Sequence, residues 1–152
     1  MATTNSDQMS ADRVDVRDKG AKMRFLRFSY TQSGAGADGD EINLAEIPTG
    51  PNGVRVWPNY SRVTAAAITG ATLDIGHRKY ENSFTDKNFE AEDPNAFASA
   101  IDIGSGVAAV PFGTVIKFDM SARRQVTAFA TVNGAAIPDG WTLEGVIAYS
   151  NE

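Results

Sequence analysis

The sequence predicts an all-β protein: a single β-sandwich, a jelly roll of about eight strands, with an extended N-terminal arm and one short helix. Three observations carry this. Short apolar segments recur with period two, the mark of strands buried on one face. Gly, Pro, Asn and Asp separate them at the spacing of a sandwich. The opening residues 1–22 hold only Met1, Met9, Val14 and Val16 as large apolar side chains. A stretch that poor in apolar surface cannot offset its own ordering entropy. The 152 residues suit one domain plus an arm, and a chain of this size buries roughly two-thirds of its unfolded surface. The expected division is an arm over residues 1–24 and a body over residues 25–152.

The body can be read in order. In Arg24–Thr31, Leu26, Phe28 and Tyr30 alternate with Arg27, Ser29 and Thr31. The glycine-rich residues 33–39 then break the chain. Ile42 and Leu44 begin a second strand that stops at Pro48, Gly50 and Pro51. Val54 and Val56 make a short third strand, ended by Pro58. Residues 60–69 form a longer, alanine-rich strand. Leu73 and Ile75 alternate with Thr72 and Asp74. Residues 79–92 read as a long acidic excursion bearing aromatics. Asp93 as an N-cap, Pro94 in the first turn and good helix formers around Phe97 predict a helix of at most two turns over residues 95–100. Residues 107–118 are apolar but interrupted by Pro111 and Gly113, so they read as an irregular strand or two pieces. Residues 125–132 are β-branched and aromatic. Trp141, Leu143, Gly145, Ile147 and Tyr149 alternate to the end.

Composition excludes several function classes. Without cysteine there is no disulfide, thiol nucleophile or thiolate zinc site, and the single histidine, His77, rules out sites needing several imidazoles. The net charge of −5 argues against nucleic acid as the main partner. No segment approaches the roughly 20 apolar residues of a membrane helix. The polar start lacks the basic-then-apolar order of a secretory signal, so synthesis in the cytoplasm is expected.

Each chemical motif also has a bland reading that is stronger. Gly34, Gly36 and Gly39 match a dinucleotide loop, yet Asp40 and Glu41 follow where a helix should receive phosphate. Asp38, Asp40 and Glu41 resemble part of a calcium loop but lack its remaining ligands. His77 with Ser105 lacks the nucleophile elbow of a hydrolase. Arg78-Lys79 and Arg123-Arg124 are isolated basic pairs, too few for a nucleic-acid surface. The expectation is no catalytic group, no cofactor and no metal. Alanine is abundant, including Ala65-Ala66-Ala67, Ala108-Ala109, Ala128 and Ala130 in predicted strands. Alanine is a poor strand former that suits close approach of sheets or subunits.

A family resemblance enters on residues 39–48, 60–64, 72–77, 93–102, 126–132 and 136–149. These run Gly-Asp-Glu-Ile-Asn-Leu-Ala-Glu-Ile-Pro, Tyr-Ser-Arg-Val-Thr, Thr-Leu-Asp-Ile-Gly-His and Asp-Pro-Asn-Ala-Phe-Ala-Ser-Ala-Ile-Asp. Residues from Val126 to Val132 and then Ala-Ile-Pro-Asp-Gly-Trp-Thr-Leu-Glu-Gly-Val-Ile-Ala-Tyr follow. Their order resembles small structural proteins of tailed bacteriophages encoded near the major capsid protein. The resemblance implies a virion component of the capsid cement or decoration type, with a jelly-roll body, often a homotrimer. Its implied partners are the major capsid protein and other copies of itself.

The arm fits a staple between neighbouring subunits. Through Arg24 it has five basic residues, Arg13, Arg17, Lys19, Lys22 and Arg24, against four acidic ones, a balance of +1. The remaining nine basic and fifteen acidic residues leave the body at −6. Those five basic residues are the expected partner contacts. Two other readings are a tail, neck or fibre-associated virion protein, and a carbohydrate-binding sandwich in which Trp57, Tyr60, Tyr80 or Trp141 stacks on sugars.

Overall fold

A computed structural model describes residues 3–5, 23–49, 53–81, 89–113, 116–118 and 125–151. They form two facing sheets and a small ribbon. The strands are β1 (Thr3–Asn5), β2 (Arg24–Thr31), β3 (Glu41–Pro48), β4 (Val54–Val56), β5 (Arg62–Ala65), β6 (Thr72–His77), β7 (Tyr80–Glu81), β8 (Phe89–Glu90), β9 (Asp93–Asp102), β10 (Val107–Pro111), β11 (Ile116–Phe118), β12 (Gln125–Asn133) and β13 (Thr142–Asn151). One sheet has the order β1-β3-β12-β6-β9. In the other, β13 is central, with β2 on one side and β5 and β4 on the other. There β10 extends β5 and β11 extends β4. Pairing is antiparallel throughout, except that β1 joins β3 in parallel.

The alternation read from sequence decides what fills the space between the sheets. Leu26, Phe28, Leu143, Ile147 and Tyr149 from one sheet meet Ile42, Leu44, Leu73, Ile75 and Val132 from the other, all buried. Strands alternate faces because successive Cβ atoms point to opposite sides. A bulge in β3 between Asn43 and Ala45 keeps β12 in step across it. In β13 a glycine is required for packing rather than for a turn. A Cβ on Gly145 would stand 2.5 Å from the ring of Phe28 and 2.3 Å from the carbonyl oxygen of Arg62.

The predicted helix over residues 95–100 is not present; those residues belong to β9. Its cap chemistry does form, since the Asn95 N–H donates to Asp93 Oδ1 at 3.3 Å. Two turns of helix are marginal without tertiary support, and pairing with β6 supplies more. Phe97 is fully buried and stacks on Phe112 with ring centroids 5.9 Å apart. Pro94 is tolerated because β9 is an edge strand. The start of β9 also lies directly on β6, where Gly76 makes room for it. The acidic excursion holds the β7–β8 ribbon, with Tyr80 opposite Glu90. The interrupted segment 107–118 resolves into β10 and β11, and the strand read over residues 60–69 shortens to β5 behind a 3-10 turn at Pro58–Tyr60.

Candidate interaction surface

The sequence motifs that suggested chemistry are spent on holding loops. Gly34 N–H donates to Asp139 Oδ1 at 2.7 Å, and Gly36 N–H donates to the Ile137 carbonyl at 2.8 Å. The donors that would cradle a phosphate therefore join two neighbouring loops. Asp38 Oδ1 accepts from Gly134 N–H and Asp40 Oδ2 from Ala37 N–H, each at 2.8 Å. Among the described residues, no group of three or more His, Asp or Glu side chains is placed to hold a metal, and no helix is long and apolar enough to cross a membrane.

His77 is buried, its Nδ1 lies 3.0 Å from the Arg78 carbonyl, and its ring packs edgewise on Tyr80 and Phe97. Ser105 is exposed in the turn beyond the far end of β9. His77 pairs with Asp93 at the near end. His77 and Thr72, which pairs with Asp102, are five β6 residues apart, about 17 Å at roughly 3.3 Å each, and Ser105 lies beyond that end, so the two do not form a catalytic pair. Among the aromatic candidates, Trp141 is buried and donates from Nε1 to the Ala66 carbonyl at 2.8 Å, and Tyr80 is buried. Trp57 donates from Nε1 to Ser150 Oγ at 2.9 Å and lies under Arg55. Only Tyr60 among these four is well exposed, at 54%. One open ring does not make a sugar platform.

What remains is surface, and the two outer faces differ. On the five-stranded sheet, Glu41, Glu46 and Asp74 face outward with Arg78. These groups are internally paired. Arg78 donates from Nε to Asn43 Oδ1 at 3.0 Å and from Nη1 to Glu41, and lies 3.4 Å from Glu92. Its guanidinium covers the ring of Phe129, 3.9 Å from the centroid. Phe129 is fully buried although it points away from the core, because Arg78 seals it. Thr127 donates to Glu46, and Asn133 and the Ala100 N–H both donate to Asp74.

On the six-stranded sheet the outward residues form three rows in register across β2, β13 and β5. Phe25 stands beside Ala148. Arg27, Val146 and Arg62 follow, then Ser29, Glu144 and Thr64. Phe25, Arg27, Ser29, Thr64, Glu144 and Val146 of these rows line a groove of 710 Å³. Arg27, Arg62 and Glu144 have no ion-pair partner among the described residues. The exposed large apolar residues described are Met23, Phe25 and Tyr60. Met23 and Phe25 open β2, and Tyr60 lies in the turn whose Trp57 N–H donates to Ala148. Arginine, aromatic and methionine side chains gathered at one place are the composition of a contact surface. Sequence reasoning missed it because its residues come from separate strands.

Of the basic arm residues expected to make contacts, Arg13, Arg17, Lys19 and Lys22 lie outside the described residues. Arg24 opens β2 opposite Tyr149. Thr3–Asn5, also within the arm, is described as the edge strand beside Glu41 to Asn43. Ala128 and Ala130 are fully buried in the core, whereas Ala66, Ala67, Ala108 and Ala109 are exposed.

Two facing, mainly antiparallel sheets define a class, the β-sandwich of jelly-roll type, an architecture that viral capsid domains share with lectins and cupins. Within that class, the fold is similar to a chain in the capsid of Ralstonia phage GP4, with a TM-score of 0.70 and 18% identity over 99% of both chains. It is also similar to a chain of the cyanophage Pam1 capsid asymmetric unit, with a TM-score of 0.61 and 13% identity over 94% of both. A structure of infectious bursal disease virus, Gx strain, aligns with 97% of this chain but 38% of its own, at a TM-score of 0.53 and 14% identity. At these identities the likeness is one of fold. No protein-family model matches the chain, and no curated protein matches it.

Proposed function

We propose that the protein is a non-enzymatic structural component of a tailed-phage virion. In this reading it is a cement protein that binds the outer surface of the head beside the major capsid protein and stabilises the shell. The observation that carries the reading is the end-to-end match of fold with a phage capsid chain, 99% of each chain aligned. The charge supports an outer position. A net −5 is repelled by packaged DNA, whose binders carry clustered positive charge.

Binding would be the sum of several modest contacts per subunit, multiplied by linkage of copies in a homotrimer. Anything that binds the assembled shell and not its dissociated parts stabilises it by mass action. The arm, residues 1–24, supplies contacts to neighbouring subunits through Arg13, Arg17, Lys19, Lys22 and Arg24. Co-sedimentation of purified protein with capsids assembled without it tests the reading. Saturable binding is expected, weakened when the chain is truncated before Phe25. Binding unchanged by truncation refutes the arm assignment. No binding to capsids refutes the cement role and favours a tail, neck or fibre position.

A further inference from the structure

β2 is an edge strand, and the direction of its main chain can be read from the ladder. The Gln32 N–H donates to the Trp141 carbonyl at 2.8 Å, and the register with β13 runs unbroken from Arg24 to Thr31. In an antiparallel pair, alternate residues turn both main-chain groups to the partner strand. Leu26, Phe28 and Tyr30 therefore bond to β13, while the N–H and C=O of Phe25, Arg27 and Thr31 point the other way. Opposite Phe25 and Thr31, Ala148 and Thr142 turn away in the same manner, accepting from the N–H groups of Trp57 and Ala66. Among the described residues no strand pairs with β2 on its outer side, and Phe25, Arg27 and Thr31 have no hydrogen-bond partner there.

The other edges are guarded. β9 slips against β6 at two places, carries Pro94, and holds Ala100 at a φ of 51° with its N–H on Asp74 Oδ1. β10 slips against β5, holds Ala109 at a φ of 49° with its N–H on Thr64 Oγ1, and ends on Pro111. β1 and β11 have three residues each. Bulges, prolines and shortness all stop a sheet edge from pairing with another chain. β2 has eight residues, no proline and no break in register, so it uses none of the three.

We propose that β2 is a strand-addition edge, which an extended segment of the shell protein beneath the chain joins by main-chain hydrogen bonds. The proposal rests on the cement reading above. The segment it fits has no proline at the bonding positions and is apolar at alternate positions, where it continues the line of Leu26 and Phe28. Met23 and Phe25, 37% and 52% exposed, give it an apolar contact at the start of the edge. Among the described residues, a second copy offers no other edge of this kind. Pairing of β2 with β2 is two-fold and does not close the trimer of that reading, which leaves the edge to the shell.

Proline at an outward position tests this, because it removes a donor that folding does not use. Arg27→Pro and Thr31→Pro should melt close to wild type. Each should bind capsids assembled without the protein about tenfold more weakly, or worse. Arg27→Ala keeps the N–H and should bind nearly as wild type does. Residue-resolved hydrogen exchange reads the same edge without a substitution. In the free chain Phe25, Arg27 and Thr31 should exchange fast and Leu26, Phe28 and Tyr30 slowly, and capsid binding should slow the first set. Slow exchange of the first set in the free chain means an edge already paired, and overturns the proposal. So does equal loss of binding in Arg27→Ala, which puts the contact in the side chain. A wild-type dimer in sedimentation velocity that Arg27→Pro abolishes assigns the edge to a second copy and also overturns it. Wild-type chain that does not bind capsids removes the cement reading and this proposal together. Full binding by both proline variants removes this proposal alone.

Discussion

The contact between β6 and β9 can be tested by one added methyl group. A Cβ on Gly76 would lie 1.9 Å from the carbonyl oxygen of Asp93 and 2.4 Å from the carbonyl carbon of Pro94. Carbon–oxygen contacts settle at about 3.3–3.6 Å, so in Gly76→Ala the start of β9 must back away by roughly 1.4 Å. Backbone cannot swing aside as a flexible side chain can. Overpacking costs about 1–3 kcal/mol, and the pairing of His77 with Asp93 is strained with it, at about 1 kcal/mol per hydrogen bond lost. The expected loss is about 3 kcal/mol. At about 2–4 °C per kcal/mol for a domain of this size, the melting temperature falls by roughly 6–12 °C. Gly113→Ala is the matched control. Its Cβ would meet nothing closer than the Phe97 carbonyl at 3.8 Å, and its φ is not positive. It should be neutral or gain up to about 1 kcal/mol. Thermal and denaturant unfolding of both variants decides the matter. If Gly76→Ala is as stable as Gly113→Ala, β9 does not lie on Gly76, and the helix predicted over residues 95–100 regains its case.

Two further substitutions test the parts that hold the faces in place. Arg78→Ala removes the cover of Phe129 and leaves Glu41, 12% exposed, without its cation. The loss expected in denaturant unfolding is about 1–3 kcal/mol, reduced from the fully buried case by residual solvent. Arg78→Lys should recover only part of it, because an ammonium cannot lie flat on a ring. Full recovery by lysine would show that charge alone matters. Ser61 is fully buried, its Oγ donating to the Trp57 carbonyl at 2.8 Å and accepting from the Ala148 N–H at 2.9 Å. Ser61→Ala leaves that N–H without the bond and should cost about 1–3 kcal/mol. An unchanged unfolding midpoint would mean that water or a shift of the turn replaces the hydroxyl.

The strands that were legible in the sequence are those whose alternation is strong. β2 is read at its full length because Leu26, Phe28 and Tyr30 alternate with polar residues and a glycine loop follows. β13 is legible for the same reason. β9 was misread because Asp93 and Pro94 serve a helix start and an edge strand equally well. Local chemistry could not show that β6 offers a glycine there. Phe129 was legible as a strand residue but not as one facing away from the core, since its cover, Arg78, comes from beyond β6. In sequence Arg78 looks like half of an isolated basic pair. The contact surface was the least legible part. Arg27, Val146 and Arg62 fall in three strands distant along the chain, and only register puts them in one row. The glycine and aspartate motifs were legible as loops but not in their pairing, Gly34 with Asp139 and Gly134 with Asp38, which joins segments distant along the chain.

The most direct test of the virion assignment is the location of this protein in a reconstruction of the intact particle. The account predicts density for the two-sheet body at regularly repeating positions on the outside of the head. Density confined to the tail or neck would contradict the cement role, and absence from the purified particle would contradict the structural role altogether.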